Sequence, residues 1–165
     1  MAQSEKQQFL NTWERECQTT LKVLQAYPAA KADLKPHEKA RSAKDLAWTF
    51  VFEGVGGRQA AEGEFKFPPP GMPPKPDTWD GMVKECERAL QGFGEKVRKA
   101  DEVYLNTTVK VVTGPKQMSD LRRLDVLWFM LMDMVHHRGQ MSVYLRMAGG
   151  KVPSIYGPSA DEPWN

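Results

Sequence analysis

Cysteine is scarce in this chain. Only two of the 165 residues are cysteine, Cys17 and Cys86, and their separation rules out a Cys-x-x-Cys pair. This count excludes a disulfide framework and a cysteine-rich zinc site. The first ten residues, MAQSEKQQFL, are polar and resemble neither a signal peptide nor a transit peptide. We therefore expect reduced cysteines and a cytoplasmic location.

The chain also lacks an excess of one charge and long apolar runs. Its formal net charge is only +2, and no helix-long basic stripe is interleaved with aromatics, which argues against a nucleic-acid partner. No stretch approaches the roughly 18 uninterrupted apolar residues of a transmembrane helix, so we expect no membrane partner. The length and the 41% hydrophobic content predict one globular domain over residues 1–165.

Apolar spacing of three and four residues predicts four long helices. The first ends before Pro28, and the second runs from a Ser42 cap to about Gly63. The third starts at a cap on Asp77 or Thr78, and the last runs from Ser119 to about Ala148 and stops at Gly149-Gly150. Four helices of this length favour an all-α fold, a four-helix bundle with a loop-rich C-terminal tail.

Two connections differ from the helices. Six of the twelve prolines fall between Pro68 and Pro76, which predicts a stiff crossover inside the domain. Apolar and polar residues alternate from Val103 to Val111, which predicts a short extended segment ended by the Gly114-Pro115 turn. We expect this segment to be peripheral, because no second convincing strand is available to pair with it.

The last helix carries the stretch DMVHHRGQ, residues 133–140. Asp133 and His137 lie one helical turn apart and share a face, so both can reach one cation. The alternative is a polar pair that satisfies itself inside the core, with Arg138 paired to Asp133 or to a neighbouring carboxylate. Gly139 permits close helix approach. Because this helix is apolar around most of its circumference, we also expect a homodimer.

Two segments of the chain closely resemble the DinB/YfiT-like superfamily. They are HHRGQMSVYLRMAGGKVPSIYGPSADE, residues 136–162, and KPHEKARSAKDLAWTF, residues 35–50. The resemblance implies an up-down-down-up four-helix bundle, usually dimeric, and a metal site of three histidines. It also implies a metal-dependent hydrolase, or a transferase or isomerase that uses a low-molecular-weight thiol, and a role in stress response.

Carried over residue by residue, the resemblance leaves a degenerate site. His137 matches one family histidine, while the other two positions hold Asp133 and Thr49. Glu53, one turn after Thr49, can in principle supply the missing contact, but an ordinary solvated helix residue is the favoured interpretation. We therefore predict a metal-free or weakly metal-binding protein that binds a small molecule. The alternative is a hydrolase or thiol-dependent transferase that uses Ni, Zn or Fe at Asp133 and His137.

Overall fold

The computed structural model describes residues 3–164, and most of them are helical. Four helices of 20 to 25 residues dominate it: α1 (Glu5–Gln25), α2 (Ala43–Glu62), α3 (Trp79–Lys99) and α5 (Arg123–Met147). Between α3 and α5 lie the one-turn helix α4 (Glu102–Leu105) and the strands β1 (Thr108–Gly114) and β2 (Gln117–Arg122). A 3-10 turn over Ala29–Lys31 follows α1.

Side-chain caps fix where the helices begin. The Ser42 hydroxyl accepts a hydrogen bond from the Asp45 amide at 3.1 Å and donates one to the Asp45 carboxylate at 2.6 Å. Of the two residues predicted to cap α3, Thr78 is the cap, and its hydroxyl accepts from the Gly81 amide. Such caps satisfy amides that have no partner within the helix. The predicted starts of α2 and α3 are confirmed.

The long helices pack in adjacent pairs around one apolar core. α2 contacts α3 and α5, and α1 contacts the same two helices. Gly54 lets α2 approach α3 closely, because a Cβ at this position would lie 2.6 Å from the carbonyl carbon of Ala89. On the α1 side, Trp13 packs against Phe93 with ring centroids 4.3 Å apart. This close contact fixes the position of the middle of α2 against α3.

A β-hairpin replaces the predicted single extended segment. β1 pairs with β2 in antiparallel register, and Val111 lies opposite Ser119. The predictions that no second strand exists and that the last helix begins at Ser119 are therefore wrong, since α5 begins at Arg123. β2 shows no alternation of buried and exposed residues, because four of its six residues are exposed, the other two are half-buried and none is buried. Its strand conformation comes from pairing with β1.

The remaining segments are irregular. Residues 64–78 join α2 to α3 without a helix or strand, and the chain after Met147 continues to residue 164 in the same way. Cys17 and Cys86 are both free thiols. Over residues 3–164, none of the helices combines the length and the apolar character that crossing a membrane requires.

Candidate metal centre

Glu53 is buried in the middle of α2. Its side chain is only 1% exposed, so the interpretation as a solvated helix residue is wrong. The reason is visible in the spacing of Leu46, Phe50, Glu53 and Gly57, which follows the four-three-four pattern of one helix face. The other three residues on this face are all buried, and Glu53 is carried inward with them. This spacing is the signal that sequence reasoning overlooked.

Glu53 meets the two polar residues predicted on the last helix. Oε1 of Glu53 lies 2.7 Å from Nδ1 of His137, and Oδ1 of Asp133 lies 3.7 Å from the same nitrogen. Each of the three side chains offers one ligand atom, and these atoms lie within 4.8 Å of one another. The one-turn spacing of Asp133 and His137 on α5 thus converges on a single carboxylate from α2.

The other oxygen of Glu53 has no partner. Oε2 is buried and makes no hydrogen bond to any of residues 3–164. A buried carboxylate oxygen without a donor is costly, because water that would have solvated it has been removed. An oxygen left in this state points to a proton or a cation as its missing partner.

The charges of this pair are strongly coupled. Burial raises the pKa of Glu53 to about 7, although the hydrogen bond with His137 opposes that rise. The hydrogen bond to Glu53 raises the pKa of His137 above its usual value, and burial opposes it. The two groups therefore titrate as a pair joined by the contact between Nδ1 and Oε1.

Asp133 and Thr49 occupy less protected positions. The Asp133 side chain is 35% exposed, so it does not carry the desolvation cost expected of a carboxylate in an apolar core. Thr49 lies one turn before Glu53, and its hydroxyl accepts a hydrogen bond from Nη1 of Arg41 at 3.0 Å. Thr49 as a metal ligand stays a prediction.

The donor set fits a divalent metal ion. An imidazole and two carboxylates are donors that zinc, iron and related ions accept, and three protein ligands leave coordination positions open for water. The unpartnered Oε2 of Glu53 supplies an independent reason for a cation at this point. Glu53, Asp133 and His137 would hold the ion, with Glu53 providing the ligand from the second long helix.

The neighbours of His137 serve other purposes. Arg138 is buried and forms an ion pair with Glu16 of α1, with Nη2 and Oε2 2.8 Å apart. The predicted alternatives were Asp133 and a neighbouring carboxylate, and the carboxylate that Arg138 contacts is Glu16. The predicted close approach at Gly139 is wrong, since a Cβ there would meet no described atom within 4 Å. His136 is exposed and contacts Gln140.

Fold and site together define a mostly helical protein with a carboxylate–histidine cluster between its second and last long helices. The model of the DinB family matches residues 1–164. The chain therefore belongs to the DinB family, as its resemblance predicted.

Similar proteins agree with this assignment. The uncharacterised protein YrdA of Bacillus subtilis (strain 168) is 51% identical over 156 residues, which cover 93% of this chain and 89% of YrdA. A DinB-like protein from Bacillus cereus ATCC 10987 has a similar structure, with a TM-score of 0.71, 23% identity and coverage of 90% of this chain and 95% of that one. The DinB-like protein YjoA from Bacillus subtilis gives a TM-score of 0.73 at 15% identity, covering 88% and 96%. At these identities, the two solved structures support the fold alone.

Proposed function

We propose that this protein is a divalent-metal-dependent hydrolase of a small molecule, with the metal held by Glu53, Asp133 and His137. The observation that carries the proposal is the buried Oε2 of Glu53, which lacks a partner among residues 3–164 beside two further ligand groups. Zinc, iron and nickel are the candidate ions, because imidazole nitrogen suits each of them.

The three proposed ligands differ in burial, and we assign them different roles on that basis. Glu53 and His137 are anchored on two packed helices, so their donor atoms are held at a fixed separation. Asp133 is partly exposed and borders an open cavity, which supports a reactive side that faces its carboxylate. A bound metal would supply an activated water by lowering its pKa to near 7.

Thiol chemistry by the chain itself is disfavoured. Burial raises the pKa of the Cys17 and Cys86 thiols well above the usual value, so neither forms a thiolate near neutral pH. A thiol-dependent transferase would need an added low-molecular-weight thiol, and hydrolysis requires only water. We therefore place hydrolysis first.

Elemental analysis of the untagged protein, purified without chelators, tests the metal site. We expect about one equivalent of a transition metal in the wild-type protein, its loss in His137→Ala, and its retention in His136→Ala. His136→Ala is the matched control because it removes the adjacent, exposed imidazole. Wild-type protein that stays well below one equivalent after incubation with each candidate ion would overturn the proposal.

The second candidate is a metal-free protein that binds a small ligand. It is favoured by the direct 2.7 Å contact between Glu53 and His137, which satisfies one carboxylate oxygen without an ion. The same elemental analysis separates the two candidates. Metal-free protein that is neither loaded nor stabilised by any of the three ions supports this second candidate.

We further propose an up-down-down-up bundle that forms a homodimer in the cytoplasm. The pairwise packing of α1 and α2 against α3 and α5 supports the helix course. Support for the dimer comes from one stripe of α5, where Met132, Val143 and Met147 are each more than half exposed. Light scattering should give twice the chain mass for the wild type and the single mass for Met132→Glu. Equal masses would count against this face.

A further inference from the structure

An apolar cavity of about 410 Å³ adjoins the carboxylate site. Asp133 is part of its lining, and so are Phe129 and Met130, the residues one helical turn before it. The other walls come from α2, from the β-hairpin and from the connection after α2. Its apolar lining includes Phe52, Phe65, Phe67, Val112, Leu121 and Phe129.

The wall of this cavity is almost free of polar groups. Among residues 3–164, Thr113 is the one polar residue in the lining apart from Asp133, and none of these lining residues is basic. Several of its large side chains remain in contact with water: Phe67 is 67% exposed, Phe129 57% and Val112 50%. Covering these surfaces with an apolar molecule is favourable, and aromatic walls give edge and face contacts to a ring.

The ligand's charge follows from the same lining. The described lining residues include no basic side chain to pair with an anionic ligand, and in the metal-free protein the Asp133 carboxylate would repel one. The volume is in the lower part of the range for small-molecule pockets. A neutral ring-containing molecule of modest size therefore suits the cavity better than an anionic metabolite or a peptide.

We infer that this cavity binds the aryl or branched-alkyl body of an uncharged carbonyl substrate, with the carbonyl group directed toward the proposed metal position beside Asp133. The inference deepens the proposed hydrolase function, because the carbonyl group of the substrate is inferred from that function. The apolar body of the substrate is inferred from the cavity lining alone. The β-hairpin then has a role in substrate selection, since Val112 and Leu121 form part of the wall.

Two titrations test the apolar body and the carbonyl group of the inferred substrate separately. N-phenyl-1-naphthylamine, a neutral aromatic fluorophore, is titrated into protein treated with EDTA, so its binding reports the cavity without any metal. Benzohydroxamate and acetohydroxamate share one metal-binding head and differ in the phenyl ring, and they are titrated by calorimetry into the metal-loaded protein.

We expect Phe129→Ala and Leu121→Ala to weaken binding of the fluorophore about tenfold, and Val103→Ala to leave it unchanged. Val103 is the matched control because it is 78% exposed and lies on α4, outside the cavity lining. We also expect benzohydroxamate to bind about tenfold more tightly than acetohydroxamate, an advantage that Phe129→Ala removes.

Equal fluorophore binding by the wild type, Phe129→Ala and Leu121→Ala would overturn the inference. It would also be overturned if Phe129→Ala turned a dimer into a monomer, because the cavity would then be a contact between two copies. Failure of the hydrolase proposal is a different result: no metal is bound, while the fluorophore still distinguishes Phe129→Ala from Val103→Ala.

Discussion

Two buried glutamates meet adjacent residues of α5, and their surroundings differ. Glu16 of α1 pairs with Arg138, while Glu53 of α2 pairs with His137. Both carboxylates are almost fully shielded from water, with side-chain exposures of 3% and 1%. One helix thus presents a permanent cation to one glutamate and a titratable imidazole to the other.

The two carboxylates differ in how fully they are satisfied. Oε2 of Glu16 accepts a hydrogen bond from the Tyr156 hydroxyl at 2.6 Å and lies 2.8 Å from Nη2 of Arg138 in an ion pair, and Oε1 accepts a hydrogen bond from Arg15. Glu53 has one such contact, and its Oε2 has none within residues 3–164. Although burial works to raise the pKa of Glu16, the hydrogen bonds from Tyr156 and Arg138 outweigh it and lower that pKa. The network around Glu16 is complete, whereas the one around Glu53 leaves an oxygen to be satisfied by a proton or a cation.

Glu16→Gln should give the largest loss of stability. It leaves the Arg138 guanidinium buried without a carboxylate, and breaking one half of a buried pair costs about 3–5 kcal/mol. Urea unfolding of the variant measures this loss. Glu14→Gln is the control, since Glu14 is 51% exposed and should change the free energy of unfolding by less than about 1 kcal/mol. Similar values for both variants would mean that the Glu16 network is not structural.

The two glutamates should respond to pH with opposite sign. Glu53 has a folded pKa of about 7, above the value of about 4.3 for an unfolded glutamate, so the native state holds a proton that the unfolded state has released. Its contribution should decline by up to about 3 kcal/mol as the pH rises from about 5 to about 7. The raised pKa of His137 acts in the same direction, since that stabilisation is lost as pH rises through the folded pKa. The lowered pKa of Glu16 acts oppositely, because its stabilisation is lost as pH falls through the folded pKa.

Unfolding of EDTA-treated protein between pH 5 and 8 checks this difference. Glu53→Gln should largely abolish the decline with rising pH, because it removes the Glu53 carboxyl group and also the carboxylate contact that is the main cause of the raised pKa of His137. A variant that keeps the wild-type pH profile would show that Glu53 does not hold the proton.

Tyr156→Phe should have a moderate effect. It removes the hydroxyl that donates to Glu16 and accepts from Arg138, which should lower the free energy of unfolding by about 1–2 kcal/mol. Because Tyr156 lies in the C-terminal tail, amide exchange in residues 150–162 should also become faster. Unchanged exchange there would mean that the tail is held by other contacts, such as the Arg146–Asp161 ion pair.

Glu53→Gln should have the smallest effect on the stability of metal-free protein at pH 7. The substitution keeps the volume and removes a carboxylate whose burial is poorly compensated, so we expect a change of less than about 1 kcal/mol in either direction. The same variant should lose transition-metal binding in calorimetry. A loss of several kcal/mol would place Glu53 with Glu16 among the structural carboxylates and remove the contrast between them.

Much of the helical framework was predictable from the sequence. The Ser42 and Thr78 caps and the stop after Met147 follow from local chemistry, namely hydroxyl acceptors for free amides and glycine after the last turn. The pairing of β2 was not predictable, since its residues lack a buried alternation and its hydrogen bonds come from β1. A helix forms its hydrogen bonds within one segment, so its local sequence predicts it, whereas a strand forms its hydrogen bonds with another segment of the chain.

The candidate site was likewise only partly predictable from the sequence. The sequence by itself determined that Asp133 and His137 share a face of the last helix, because four residues make about one turn. Only the tertiary structure decided that Glu53 joins them, that Arg138 turns to Glu16 instead, and that an apolar cavity borders Asp133. The physical reason is that helix periodicity fixes which residues point inward, whereas the packing of α2 and α1 against α5 decides which of them meet.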